Sequence, residues 1–196
     1  MAWSGVMREL EEKLVNTLEG RYRPRDGVPF FRVQYPPAQE REAVRQFCLL
    51  QERLTHQGRR VGLIRLTEIL WDALAELVGC NRDDLLDRLV HLEAQNNRSE
   101  LQHLLATYLP QWCANVLAVR LGHADGGSVA LLVRPGVLYP FVRPSTLLSL
   151  LESRVSCPVV LAYPTHTIGA FLDASPAGGQ GGYYRGEIIG WREGQP

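Results

Sequence analysis

The stretch that most constrains the fold runs from Gly127 to Pro164, because it reads as a complete strand–helix–strand unit. Two apolar runs rich in β-branched residues, Val129–Val133 and Val159–Tyr163, have the length of buried strands. Between them, Ser145–Ser153 carries leucines at helical spacing, and Pro144 stands where a first helical turn tolerates proline. Such a unit requires parallel strands joined by a right-handed crossover. Because neither run alternates with polar residues, we expect both strands to be buried on both faces.

Upstream of this unit, helices and strands alternate in the same way. Residues 4–19 have an apolar stripe at helical spacing, and Val28–Tyr35 has the composition of a first strand. A second helix is predicted over Ala38–Gln57 and a short strand over Arg60–Leu66. This second β–α–β step indicates that the sheet is wound one crossover at a time.

Residues 67–121 differ from the rest because they read as helices without an intervening strand. Pro110 is expected to interrupt the last of these helices. One crossover needs a single helix, so most of this block is an excursion from the sheet. With a last strand predicted over Tyr183–Trp191, we expect one α/β domain over residues 1–196. Its parallel or mostly parallel five-stranded sheet is flanked by helices in a P-loop-like layout, with a helical insertion between strands 2 and 3.

The predicted layout is that of P-loop proteins, but the sequence lacks the residues that nucleotide hydrolysis requires. A P-loop needs a glycine-rich turn that ends in Gly-Lys-Ser/Thr, whose amides and lysine hold the phosphates. The first strand is followed instead by Pro36 and Pro37, which lack amide hydrogens, and Lys13 is the only lysine in the chain. The third strand ends in Arg134 where a magnesium-binding acid is required. P-loop catalysis is therefore excluded.

Charge, cysteine spacing and hydrophobicity argue against several other classes of function. The formal net charge is zero, so no global field favours direct nucleic-acid or membrane binding. The four cysteines are scattered and no C-x-x-C or H-x-x-x-H spacing occurs, so we expect no metal and no cofactor. The first residues are acidic and lack an apolar signal region, and no apolar run could span a bilayer, which predicts a cytoplasmic protein.

What remains at the predicted strand ends is a group of aromatic, proline and arginine residues. Tyrosine and arginine dominate protein–protein hot spots, because they combine large stiff surfaces with a polar tip. For each residue alone a core or surface role is the simpler interpretation, and for the group the two interpretations are balanced. The candidate partner-binding residues are Tyr139, Pro140, Phe141, Arg143, Tyr163, Pro164, Tyr183, Tyr184 and Arg185.

Several of these residues lie in segments that resemble the BrxB family, small components of BREX bacteriophage-exclusion systems. The resembling segments are Gly136–Arg143, Leu147-Leu148, Pro158–Pro164 and Tyr183–Arg185. Thr165 stands where the family has glycine, and the Gly178–Gly182 loop is richer in glycine than is usual in the family. The resemblance is carried mainly by the last third of the chain.

The resemblance implies a non-enzymatic adaptor that bridges a PglZ-like phosphatase-family protein and a BrxC-like AAA ATPase. A PglX-like methyltransferase would belong to the larger assembly. An alternative from another class stays open, namely a small-ligand- or nucleotide-binding regulator or enzyme that uses the strand-end loops. Arg143, His166 and the Gly178–Gly182 loop would then form its site. A nucleotide that stabilises the folded protein would distinguish the two.

Overall fold

The computed structural model of the protein describes residues 3–24, 27, 29–122, 127–165 and 186–190. Two short 3-10 turns, Pro37–Gln39 and Pro135–Leu138, follow the first and third strands. The strands are β1 (Phe30–Tyr35), β2 (Arg60–Arg65), β3 (Ser128–Val133), β4 (Val159–Pro164) and β5 (Glu187–Gly190). The helices are α1 (Trp3–Leu18), α2 (Glu40–His56), α3 (Leu66–Val78), α4 (Leu85–Gln95), α5 (Arg98–Leu121) and α6 (Pro144–Leu151).

The five strands form one sheet in the order β2-β3-β4-β1-β5, and every pair of neighbours is parallel. From β1 the chain crosses through α2 to the far edge at β2. It then returns through β3 and β4 towards β1, with α3, α4 and α5 inserted between β2 and β3. The α/β fold with a parallel five-stranded sheet and a helical insertion between strands 2 and 3 is therefore confirmed.

Each face of the sheet is covered by its own set of helices. Helices α1 and α2 pack on one face, where Leu10, Leu14 and Phe47 are fully buried. Helices α3, α5 and α6 pack on the opposite face, where Cys113 and Leu151 are fully buried. The burial of both faces explains why β1 and β3 contain no exposed residue along their length.

Three of the predicted strands agree with the structure to within one residue at both ends, but the first strand starts later than predicted. Strand β1 begins at Phe30, two residues after the predicted Val28, and Pro29 precedes its first strand residue. Proline is confined to the first position of a strand or to its edge, because it cannot donate to a ladder. The last strand is predicted over Tyr183–Trp191. The structure describes β5 (Glu187–Gly190) within that range, and Tyr183–Arg185 lie outside the described residues.

The predicted break at Pro110 is wrong. Helix α5 runs without interruption from Arg98 to Leu121, with Pro110 inside it. A proline in this position leaves the carbonyl of Ala106 without its helical donor. Ala106 is exposed, so water can replace that hydrogen bond and the helix continues.

The edge strand β5 is tied to α1 by a small ionic cluster. The carboxylate of Glu187 accepts hydrogen bonds from Lys13 Nζ and from the Tyr22 hydroxyl, and Lys13 also pairs with Glu9 at 3.1 Å. Burial alone would lower the pKa of Lys13, but the two carboxylates outweigh burial and raise it. Burial and the bond to Glu187 raise the pKa of Tyr22. The only lysine of the chain is thus used to hold the edge of the sheet.

Candidate interaction surfaces

The carboxyl ends of the strands meet at one edge of the sheet, as parallel pairing requires. Tyr35, Arg134 and Thr165 follow or end neighbouring strands there, and the amide of Thr165 donates to the Tyr35 carbonyl at 2.9 Å. Arg134 adopts a left-handed backbone conformation with φ of 64°, which turns the chain sharply into the Pro135–Leu138 turn. The chain leaves β1 for α2 on one face of the sheet and leaves β3 for α6 on the other, so the connections diverge at this edge, which is where doubly wound sheets bind ligands.

Aromatic side chains fill this divergence point. The rings of Trp3 and Tyr35 are 5.5 Å apart at an angle of 49°, and both side chains are buried. Trp3 Nε1 donates to Gln39 Oε1 at 3.4 Å, and the Tyr35 hydroxyl donates to Glu40 Oε2 at 2.6 Å. Burial and the bond to Glu40 raise the pKa of Tyr35 far above its ordinary value. The first helix thus packs an indole at the carboxyl end of β1, beside the turn that leads into α2.

The segment after β3 presents the predicted partner-binding residues to solvent. Tyr139 is 83% exposed, and it is joined to the exposed Pro140 by a cis peptide bond. Phe141 is half-buried and packs against the core beside α6, while Arg143 is exposed immediately before that helix. The amide of Phe141 donates to the Leu138 carbonyl at 3.0 Å, which anchors the segment on a fully buried residue.

The other predicted residues are divided between β4 and the part of the chain outside the described residues. Tyr163 and Pro164 end β4 and are half-buried, and Tyr163 packs against the same core cluster as Phe141. Tyr183, Tyr184 and Arg185 lie outside the described residues, as do His166 and the Gly178–Gly182 loop. A role of these residues in partner binding stays a prediction.

A second surface, which the predicted residues do not include, lies on the helical insertion. We call residues 82–108 the helical arm, because no residue among them belongs to either core cluster. On α4, Leu86 and Val90 are 63% and 59% exposed. On the first half of α5, Leu104 and Tyr108 are 45% and 53% exposed. Each pair is spaced by four residues, so each forms a continuous apolar stripe on its helix.

The sequence carried a signal for this surface. The arm contains the leucine pairs Leu85-Leu86 and Leu104-Leu105, and adjacent helical residues point in different directions. In the first of these pairs only one leucine is covered by a neighbouring element. Leu85 is fully buried and Leu86 is exposed, so the second member remains available.

The described residues offer little reactive chemistry. Burial raises the pKa of Cys113 to about 12 and also raises that of Cys157, which keeps both thiols protonated. Among the described residues no three histidine, cysteine or acidic side chains are grouped as metal ligands. No described helix has the length and apolar content required to cross a membrane.

Comparison with known proteins decides the family. A family model described as "BREX protein BrxB" matches residues 63–188, which is more than half of the chain. The chain belongs to the BrxB family. The match begins within β2 and ends within β5, so it includes the helical arm, the Tyr139–Arg143 segment and strands β3 and β4. Membership in the BrxB family makes the protein a component of a BREX phage-defence system. No curated protein and no solved structure matches the chain.

Proposed function

We propose that this BrxB-family protein is a non-catalytic adaptor that bridges a PglZ-like phosphatase-family protein and a BrxC-like AAA ATPase. The observation that carries the proposal is the helical arm with its exposed apolar stripes. Apart from Leu85, every side chain of the arm is exposed or only half-buried, so ordering the arm costs chain entropy with little gain in folding. Exposed apolar groups of this kind mark sites where another macromolecule is bound.

A bridge needs two separate surfaces, and the Tyr139–Arg143 segment supplies the second. Tyr139 offers a large stiff ring that is almost fully accessible, and Arg143 offers a planar cation close to it in the chain. Both residue types are enriched where protein partners bind tightly. The arm stripes are purely apolar apart from one hydroxyl, so the two surfaces suit partners of different chemistry.

The packing of Trp3 on Tyr35 supports a non-catalytic role. Ligands of doubly wound sheets bind at the point where the connections diverge. Here that point is filled by an indole and a phenol, and Pro36 and Pro37 offer no amide hydrogen to a phosphate. These features favour the adaptor over the alternative of a nucleotide-binding regulator.

The test is a binding assay with purified PglZ-like and BrxC-like proteins encoded in the same defence system. One variant carries Leu104→Ser and Tyr108→Ser on the arm, and another carries Tyr139→Ala and Arg143→Ala. Val119→Ser serves as the matched control, because Val119 is an apolar residue of α5 that is 69% exposed but lies outside the arm.

We expect each double variant to lose one partner and to retain the other, and the control to retain both. A loss of roughly tenfold or more in affinity corresponds to at least about 1.4 kcal/mol, which two hot-spot residues readily supply. If both double variants bind both partners as the wild type does, the adaptor surfaces are wrong. A saturable rise in melting temperature with ATP or ADP would instead support the regulator.

A further inference from the structure

A groove runs along the free edge of the sheet, at strand β2. Its volume is about 770 Å³, and it lies between α2 on one face of the sheet and α5 on the other. Gln51 and Thr55 form the wall on the α2 side, and Arg120 and Leu121 form the wall on the α5 side. The floor is formed by Val61, Gly62 and Ile64 of β2, together with the first residues of β3. The two flanking helices therefore leave the edge strand accessible between them.

The backbone of β2 has hydrogen-bonding groups directed away from β3, within the groove and immediately beside it. The carbonyl of Val61 accepts a hydrogen bond from the side-chain amide of Gln51 at 3.1 Å, which identifies Val61 as a residue whose backbone faces away from β3. Backbone direction alternates along a strand, so Leu63 faces the same way. Among the described residues, the backbone of Leu63 makes no hydrogen bond outside the β2–β3 ladder.

The side chains of β2 leave room for another strand. Gly62 is exposed, and a side chain added there would meet nothing within 4 Å. The two neighbouring side chains, Val61 and Leu63, are only half-buried. A glycine in a strand often marks the site where another backbone approaches closely. The edge therefore combines backbone groups, an apolar floor and steric space.

The charged side chains in the described lining of the groove are all arginines. They are Arg59, Arg60 and Arg120, and no carboxylate is among the described lining residues. Arg59 pairs with Glu19 at 2.8 Å and Arg120 with Glu68 at 3.3 Å, and both of these acids lie outside the lining. A bound segment with carboxylates at its ends would complement this rim.

The same charges argue against a second copy of this chain as the occupant. In an antiparallel pairing of two β2 strands centred on Gly62, Arg59 of one copy would lie opposite Arg65 of the other. Like charges directly opposite each other destabilise a strand pair. Charged residues at strand edges are a common device against such self-association.

We propose that the β2 edge binds an extended segment of a partner protein as a sixth strand, with an apolar centre flanked by acidic residues. The segment pairs with the backbone of Leu63 and displaces Gln51 from the Val61 carbonyl. Its apolar side chains lie on the floor beside Gly62, and its carboxylates meet the arginines of the rim. Strand addition of this kind obtains affinity from backbone hydrogen bonds and specificity from side chains.

A single-stranded nucleic acid is the competing occupant of a groove with a basic rim. It would need aromatic side chains on which bases stack, and the described residues that line the groove include no aromatic side chain. An apolar floor with a free backbone edge fits a peptide better. The proposal does not rest on the adaptor function, because the groove includes neither the helical arm nor Tyr139.

The experiment is a selection from a random peptide library displayed on phage, with the full-length protein immobilised. We expect the enriched peptides to alternate apolar residues and to carry aspartate or glutamate near their ends. The best peptide is then synthesised with a fluorescent label, both as selected and with its inward-facing amides methylated. Methylation removes the backbone donors and leaves the side chains intact, so we expect it to weaken binding by roughly tenfold or more.

Two protein variants complete the test. Leu63→Pro removes an outward donor of the edge, and Arg60→Glu reverses one charge of the rim, so we expect both to weaken binding of the acidic peptide. Arg45→Glu is the matched charge control, because Arg45 is exposed on α2 and does not line the groove. Failure to enrich any peptide, equal binding of the methylated peptide, or tighter binding of a single-stranded oligonucleotide that Arg60→Glu abolishes would each overturn the proposal.

Discussion

Helix α6 and the helical arm both carry closely spaced leucines but have very different surroundings. The leucines Leu147, Leu148 and Leu151 of α6 are all buried against the sheet. In the arm, Leu85 is buried, whereas Leu86 and Leu104 are 63% and 45% exposed. Leucine content and helical spacing are therefore alike in both regions. This pattern predicts a helix, but it does not predict whether the apolar face of the helix is covered.

The topology explains the difference. Helix α6 joins β3 to β4, which are neighbours in the sheet, so the short connection must lie over those two strands. Helix α4 joins two helices and has no strand to cover. The comparison shows that burial in this protein follows from what a helix connects, and that the arm keeps apolar surface available for a partner.

The largest expected effect tests this contrast directly. Leu151→Ala removes a fully buried side chain and leaves a cavity, so we expect the free energy of unfolding to fall by about 2–5 kcal/mol. Leu86→Ala in the arm should change it by less than about 0.5 kcal/mol, because most of that side chain is already in water. Urea unfolding followed by circular dichroism measures both. A similar loss in the two variants would show that the arm is part of the cooperative core.

The sheet could be predicted from the sequence because its signals are local. Runs such as Val129–Val133 are apolar, β-branched and bounded by turn residues, and the helices between them have clear apolar stripes. The order of helices and strands then restricts the sheet to a parallel arrangement. The helical insertion over residues 67–121 could be predicted for the same reason, since that stretch contains no strand-like run.

The surfaces could be predicted only in part, because they depend on contacts between distant residues. The sequence gives no sign that Trp3 packs on Tyr35 and closes the divergence point. It also does not reveal that β2 is an edge strand, since strand order is set by the whole sheet. Tyr139 and Arg143 could be selected by residue type, and the structure adds that both are exposed. Whether they bind a partner stays a prediction.

Pro110 allows a second test of the difference between the exposed arm and the buried core, because it lies at the boundary between the arm and the buried half of α5. Leu109 is fully buried, and the residues before Leu109 belong to the arm. Pro110→Ala supplies the donor that the Ala106 carbonyl lacks, so we expect α5 to gain up to about 3 kcal/mol of helical stability. Amide hydrogen exchange around residues 106–110 should slow accordingly.

Pro144→Ala is the matched control for this change. Pro144 occupies the first turn of α6, where the helix needs no amide hydrogen and the fixed φ is favourable. We expect no gain in stability there. If Pro110→Ala leaves exchange unchanged or destabilises the protein, the proline is needed to set the direction of the arm, and the arm is not an independent extension of α5.

The smallest effect, counted per pH unit, concerns the pH dependence of stability, and it separates the two halves of α5. Burial raises the pKa of Cys113 to about 12 in the folded protein, against 9.0 for a free thiol. Because the folded protein disfavours the thiolate, the stability that the protonated Cys113 thiol contributes is fully present below about pH 9. It is lost as the pH rises towards about 12. Between these limits the free energy of unfolding should fall by about 1.4 kcal/mol per pH unit through this thiol.

Cys113→Ala removes that part of the slope. We expect a constant loss of stability from the smaller side chain at pH 8, and a shallower decline than in the wild type above pH 9, measured by urea unfolding with a reductant present. Leu104→Ser in the arm should leave the slope unchanged, because it removes no titrating group and uncovers none. An unaltered slope in Cys113→Ala would mean that the thiol reaches solvent in the folded protein. The second half of α5 would then be as loosely held as the arm, and the contrast between them would fail.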